Sequence, residues 1–164
     1  MSLEIERRFI VKGDHWKVLA KEYKTIKQGY LISTKEGWTV RVRIMNKKES
    51  LITLKYPHSE ISRHEFEYLI PLNEAIEIMQ MTNFQITKKR YLLNLSPGNW
   101  IIDYFEGSNF PLVLAEVELS SPQETIEKPS WCHKEVTGIA EFSNALLAEE
   151  PISNWPLDKR HLIL

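Results

Sequence analysis

Apolar and β-branched residues recur at every second position in eight stretches of this chain: about Leu3–Val11, Thr25–Ser33, Trp38–Met45, Ser50–Tyr56, Arg63–Ile70, Gln85–Leu95, Trp100–Phe105 and Leu112–Leu119. Side chains two apart on a strand share a face, so this period predicts eight strands. Helices are predicted over Asp14–Glu22 and Asn73–Met81, with Asp14 and Asn73 as candidate N-caps, and over Ile139–Ala148 after Gly138. Pro151 and Pro156 break up the tail. Connectors are short and hairpins follow one another, which predicts an antiparallel sheet in an α+β fold dominated by strands. No linker-like stretch divides the chain, so residues 1–164 are expected to form one domain.

The polar half of the alternation is unusual. Glu4 and Glu6 share a face with Arg8, Arg41 with Arg43, Glu65 with Glu67, Lys88 with Arg90, and Glu116 with Glu118. Lys55 and Asp103 each stand between apolar neighbours. A sheet with one wet face explains any one of these charges. Here the doublets are like-charged, and acidic strands alternate with basic ones. The opposite faces carry Ile5, Val40, Val42, Leu54, Phe66, Ile102, Tyr104 and Val117, an apolar surface that the helices can cover in part. Both faces find a home in a closed eight-stranded antiparallel β-barrel, strands about 3–119, with a helical segment about 132–150 after it. The apolar face then points outward and the charged face lines a lumen wide enough for one small ligand.

That lumen gathers the cations Arg8, Arg41, Arg43, Lys55, Lys88 and Arg90 with the anions Glu4, Glu6, Glu65, Glu67, Asp103, Glu116 and Glu118. Burying one unpaired ion costs about 20 kcal/mol in the idealised limit, so such an interior is poor packing. It suits a ligand that is itself highly charged in both signs, such as a polyphosphate with a divalent metal. Guanidinium and ammonium groups take phosphate oxygens, and carboxylates take hard cations.

Composition narrows the field further. Of 164 residues, 26% are charged and the formal net charge is −1, without the basic excess of a nucleic-acid binder. Cys132 is the only cysteine, so no intrachain disulfide forms, and with no basic partner in view it reads as inert. No apolar run reaches membrane-spanning length and the first residues lack a signal-peptide core, so the expectation is a cytoplasmic protein with no membrane partner. There is no GxxxxGKS/T or GxGxxG loop, no HExxH and no GxSxG. His15, His58, His64, His133 and His161 lack metal-ligand spacing, and the five tryptophans read as exterior and helix packing.

The charged residues also resemble the triphosphate tunnel metalloenzyme superfamily, the CYTH domain. Its hallmark is an ExExK strand, matched here by Glu4-Ile5-Glu6-Arg7-Arg8 with arginine at the lysine position. RVR (Arg41–Arg43), TLK (Thr53–Lys55), EFEY (Glu65–Tyr68), KKRY (Lys88–Tyr91), DYF (Asp103–Phe105) and AEVEL (Ala115–Leu119) follow in the family's order. QGYL (Gln28–Leu31) and KEVTG (Lys134–Gly138) resemble a short bacterial branch of inorganic triphosphatases. The resemblance places Tyr30 near the first-strand cation.

What the resemblance implies is hydrolysis of a terminal phosphoanhydride of inorganic triphosphate with Mg²⁺ or Mn²⁺. Arg8, Arg41, Arg43, Lys55, Lys88 and Arg90 would bind the phosphates. Glu4, Glu6, Glu116 and Glu118 would hold metal. Glu65, Glu67, Asp103, Arg8 and Tyr30 would serve catalysis, the carboxylates through a second metal or the attacking water. Alternatives are an adenylate cyclase or a nucleoside or thiamine triphosphatase of the same superfamily, and a non-catalytic polyphosphate-binding protein. A homodimer is the guess for assembly.

Overall fold

The computed structural model describes residues 3–96 and 98–163. Their strands are β1 (Leu3–Val11), β2 (Ala20–Ser33), β3 (Thr39–Met45), β4 (Glu49–Pro57), β5 (Ser62–Leu69), β6 (Phe84–Leu93), β7 (Asn99–Phe105), β8 (Val113–Glu118) and β9 (Cys132–Glu135). The helices are α1 (Leu72–Gln80), α2 (Asn144–Glu149) and α3 (Leu157–Arg160).

β1 to β8 close into an antiparallel barrel in the order β1-β5-β4-β3-β2-β6-β7-β8, returning to β1. One edge of β1 pairs with β8 over Glu6–Ile10. The other edge is shared: β5 takes Leu3–Ile5 and β9 takes Phe9–Val11. The β3/β4 hairpin turns through residues 46–48, with Asn46 and Lys47 both at positive φ and the Lys48 amide donating to the Met45 carbonyl at 3.0 Å.

Two apolar layers coat the outside. Ala75 and Met79 of α1 pack on Val42 and Ile44. Gly29 permits this approach: a Cβ there would lie 2.5 Å from Thr82 Oγ1 and 2.7 Å from Met79 Sδ. Elsewhere Trp16, Leu119, Trp131 and Cys132 cover Ile5, Ile102 and Val117. Val40, Leu54 and Tyr104 are half-buried, and Phe66 is exposed, so the outer apolar face is covered only in part.

Inside, each charged row ends in an apolar one. Ile10, Ile86, Phe105 and Leu114 lie two residues beyond Arg8, Lys88, Asp103 and Glu116, on the same faces. They pack with Val136, Phe142, Leu147, Ile152 and Trp155 of the C-terminal segment, which fills that end of the lumen.

Several local expectations are corrected. Residues 14–22 hold one 3₁₀ turn, His15–Leu19, and Asp14 makes no side-chain cap. From Ala20 the chain is already strand: Ala20–Lys24 pairs with β6, and Tyr23 stacks on Tyr91 at 5.3 Å. Only Trp16 of that turn is buried, so a helix there has no apolar stripe to bury. α1 begins one residue before Asn73, with Pro71 at its N-cap position. The stretch 139–148 is split by Ser143, whose Oγ accepts from the Leu146 amide and starts α2. β9 lies in the segment expected to be helical; its four residues lack alternation and are held by pairing to β1. Pro151 and Pro156 do punctuate the tail, preceding a 3₁₀ turn and α3.

Candidate active site

Strand register sets the site. Tyr30 of β2 stands opposite Arg41, Arg41 opposite Thr53, and Thr53 opposite Glu67, giving one row across four strands. A neighbouring row runs Gln28 to Arg43, and a third runs Thr39 to Lys55 to Glu65. On the far wall Arg90 faces Asp103, Arg8 faces Glu116, and Glu6 faces Glu118. These rows enclose a cavity of about 900 Å³, lined by Glu4, Glu6, Arg8, Tyr30, Arg41, Arg43, Lys55, Glu65, Glu67, Arg90 and Glu116. Thr137, Asn144, Leu146 and Glu149 of the C-terminal segment complete the lining.

The charges form two linked neighbourhoods. At β1, β4 and β5, Lys55 Nζ bridges Glu4 at 2.6 Å and Glu65 at 2.8 Å. Burial opposes the Glu4 carboxylate, but Lys55, Arg41 and Arg63 outweigh it and hold its pKa below the ordinary value. At β6, β7 and β8, the Arg90 fork grips both oxygens of Asp103 at 2.8 Å, and Lys88 Nζ sits 2.6 Å from Asp103. Burial opposes ionisation of Asp103, and Arg90 with Lys88 reverses that, keeping it well below the carboxylate range. Burial pulls Lys88 down to about 7 against the pull of Asp103. Glu116 reaches Arg8 at 3.3 Å and Arg90 at 3.5 Å, and the arginines overcome its burial to lower its pKa.

Three features are left unbalanced. Burial, then Glu116 and Glu4, push Glu6 up to about 7. Burial, then Arg41 and Arg90, pull Arg43 down to about 9. Buried donors Arg8 Nη2 and Arg41 Nε have no hydrogen-bond partner, and Arg8 Nε has only its 3.3 Å ion pair with Glu116. Buried polar groups are nearly always satisfied, so orphaned guanidinium donors around a cavity mark a place for an anion.

Three expected site residues do not line this cavity. Lys88 and Asp103 are fully buried behind the wall, because each neutralises the other and Asn144 Oδ1 accepts a further bond from Lys88 at 2.8 Å. Glu118 is exposed, and burial together with Glu4 and Glu65 raises its pKa. Among the described residues no three acidic, histidine or cysteine side chains are gathered as a ready-made metal cage. Cys132 is buried and burial pushes its thiol up to about 12, in keeping with an inert group.

Sequence reasoning passed over Gln28 and Asn144. Gln28 shares a strand face with Tyr30, so period two was the signal available for it. Asn144 meets Lys88 only because the C-terminal segment folds back onto the barrel, and nothing in the local pattern marks it.

The family profile that matches, CYTH domain, covers residues 2–148. The chain belongs to the CYTH domain family. This CYTH domain is 40% identical over 157 residues to a curated protein of Acetivibrio thermocellus named inorganic triphosphatase, covering 94% of the chain and 99% of that relative. A crystal structure of the inorganic triphosphatase NE1496 superposes with a TM-score of 0.62 at 29% identity, covering 88% of this chain and 97% of the other. The PH1012 protein of Pyrococcus horikoshii OT3 shares the fold, with a TM-score of 0.59 at 19% identity over 73% of this chain and 79% of that one. No helix among the described residues is long and apolar enough to cross a membrane.

Proposed function

We propose that this CYTH domain hydrolyses inorganic triphosphate at a terminal phosphoanhydride, using a divalent cation, Mg²⁺ or Mn²⁺. The observation that carries the reading is a charged cavity in the barrel lined by Arg8, Arg41, Arg43, Lys55 and Arg90 together with Glu4, Glu6, Glu65, Glu67 and Glu116. The likeness to two inorganic triphosphatases supports the same substrate.

Phosphoryl transfer is catalysed mainly by positioning and charge stabilisation. Arg8, Arg41, Arg43, Lys55 and Arg90 bind phosphate oxygens from opposite walls and hold the chain extended between them. Lys88 and Asp103 act through Arg90: their buried pairing fixes its guanidinium plane. Glu65 and Glu67 orient the attacking water and accept its proton. Tyr30 donates its hydroxyl proton to a phosphate oxygen.

Glu4, Glu6 and Glu116 would hold the metal, with Glu118, opposite Glu6 on β8, beside them. The donor chemistry fits a hard cation. Burial, and after it repulsion from Glu116 and Glu4, raises the pKa of Glu6, and such a cation would relieve that repulsion. When bound, the metal supplies charge neutralisation on the phosphates and an acidified water.

Among the described residues Tyr30 is the one aromatic ring lining the cavity, which gives a nucleobase or thiazolium little to stack on. The test is orthophosphate release from tripolyphosphate, ATP and thiamine triphosphate, each with Mg²⁺ and with Mn²⁺. The expected result is fastest turnover of tripolyphosphate. Preference for ATP or thiamine triphosphate replaces the inorganic substrate with an organic one. Tight binding without turnover makes the protein a polyphosphate sensor.

A further inference from the structure

The Gln28 side chain is completely buried, with no exposed surface, and touches two cavity residues. Arg43 Nε donates to its Oε1 at 2.8 Å, and its Nε2 donates to Tyr30 Oη at 2.9 Å. The amide has only one orientation here. A guanidinium has donors and no acceptor, so the oxygen of Gln28 must face Arg43. The NH₂ group must then face Tyr30, and Tyr30 Oη must accept. A phenol has one proton, and that proton cannot point back at Gln28. Arg41, which also hydrogen-bonds Tyr30, is a donor without an acceptor and cannot take that proton either, while Tyr30 lines the cavity.

We infer that Gln28 is a positioning residue that fixes Tyr30 as a hydrogen-bond donor to a phosphate oxygen in the cavity while holding Arg43 in place. The direction of the hydrogen-bond chain is set at its start by the guanidinium. It runs Arg43 to Gln28 to Tyr30 and delivers a proton into the site. Replacing the amide by a carboxylate, as in Gln28→Glu, reverses the last link. The carboxylate still accepts from Arg43, but it now accepts from the Tyr30 hydroxyl as well, and the proton leaves the cavity. The inference rests on the triphosphatase reading for its kinetic consequence and on the geometry alone for the direction of the bond.

The test uses Gln28→Glu, Gln28→Met and Tyr30→Phe, with thermal melts to confirm that each folds. Without any ligand, the ring carbon bearing the Tyr30 hydroxyl is followed by NMR across pH, its signal identified as the one lost in Tyr30→Phe. In Gln28→Glu the Tyr30 midpoint should rise, because a neighbouring carboxylate that accepts the proton disfavours the phenolate. In Gln28→Met it should move less. This readout needs no turnover, so it stands or falls apart from the substrate assignment. With tripolyphosphate, Gln28→Glu should lower kcat about tenfold or more, as loss of a transition-state donor does. The same change in the Tyr30→Phe background should cost less than about threefold, since the donor is already absent. An unmoved Tyr30 midpoint in Gln28→Glu overturns the positioning role. An equal kinetic cost in both backgrounds does so too.

Discussion

Arg90 and Asp103 stand directly opposite each other across the β6/β7 ladder, and the guanidinium meets both carboxylate oxygens at 2.8 Å. Asp103 is fully buried, and Lys88 Nζ occupies the same carboxylate from the other side. One anion therefore holds two cations, Lys88 buried behind the wall and Arg90 lining the cavity.

Asp103→Asn should be strongly destabilising. Removing one partner of a buried pair typically costs about 3–5 kcal/mol, because the remaining charge is left uncompensated. At roughly 2–4 °C per kcal/mol for a domain of this size, the midpoint should fall on the order of 10 °C. The double variant Asp103→Asn with Lys88→Met should recover part of that loss, since one of the stranded cations is gone. Thermal unfolding measures both. A wild-type midpoint for Asp103→Asn removes this pair from the list of what holds the barrel.

Glu6 predicts the opposite behaviour with pH. Its folded pKa is about 7, against 4.5 for the ordinary side chain. Below about pH 4.5 both states keep the proton, and Glu6 has no effect on stability. Between 4.5 and 7 the unfolded chain releases the proton more readily, so stability falls as pH rises. Above 7 the loss is complete, of the order of 3 kcal/mol at about 1.4 kcal/mol per pH unit. With chelator present, Glu6→Gln should melt roughly 5 °C or more above wild type at pH 8, and level with it near pH 4. Equal midpoints at both pH values contradict the crowding of Glu6 by Glu116 and Glu4.

The barrel was legible because its signal is periodic and distributed. Each of the eight strands carries its own alternation, and the like-charged doublets fixed which face is inside. The registers that place Tyr30 beside Arg41 or Arg90 beside Asp103 follow from that parity. What was illegible depends on contacts far apart in sequence. The helical pattern after Asp14 yielded to strand pairing with β6. The withdrawal of Lys88 from the cavity needs Asn144, supplied by a segment 56 residues away. The apolar filling of one end of the lumen needs Phe142, Leu147 and Trp155, which no strand pattern could locate.

Arg8 occupies the hallmark lysine position, and its Nε and Nη2 are buried without hydrogen-bond partners. In the ligand-free protein Arg8 Nε still pairs with the buried Glu116 at 3.3 Å, and Glu116 keeps Arg90 at 3.5 Å as a second partner. Arg8→Met should therefore lower the midpoint without ligand, but by less than Asp103→Asn does, because Glu116 is not left without a cation. The same variant should lose about tenfold or more in kcat/KM for tripolyphosphate, because a charge-assisted contact to phosphate is gone. Arg8→Lys, which keeps the charge but not the planar fork, should lie between the two. Steady-state kinetics beside thermal melts separate these effects. Unchanged kinetics in Arg8→Met place the side chain outside the site.

The cations lining the cavity also turn it into a stability sensor. A ligand that binds only the folded state adds about 2.7 kcal/mol at a hundredfold excess over its dissociation constant. Saturating tripolyphosphate should thus raise the midpoint by roughly 5–10 °C, read with Ca²⁺ in place of Mg²⁺ if turnover interferes. Orthophosphate at the same concentration should shift it far less, because a single phosphate spans only part of the set Arg8, Arg41, Arg43 and Arg90. Pyrophosphate should fall between them. High salt should reduce all three shifts through screening, least for tripolyphosphate, whose contacts are the most enclosed. An accessible charged sheet face predicts something else: small shifts, alike for all three anions. That outcome would break the link between the enclosed cavity and the triphosphate, and with it the assignment of Arg8, Arg41, Arg43 and Arg90 to one extended ligand.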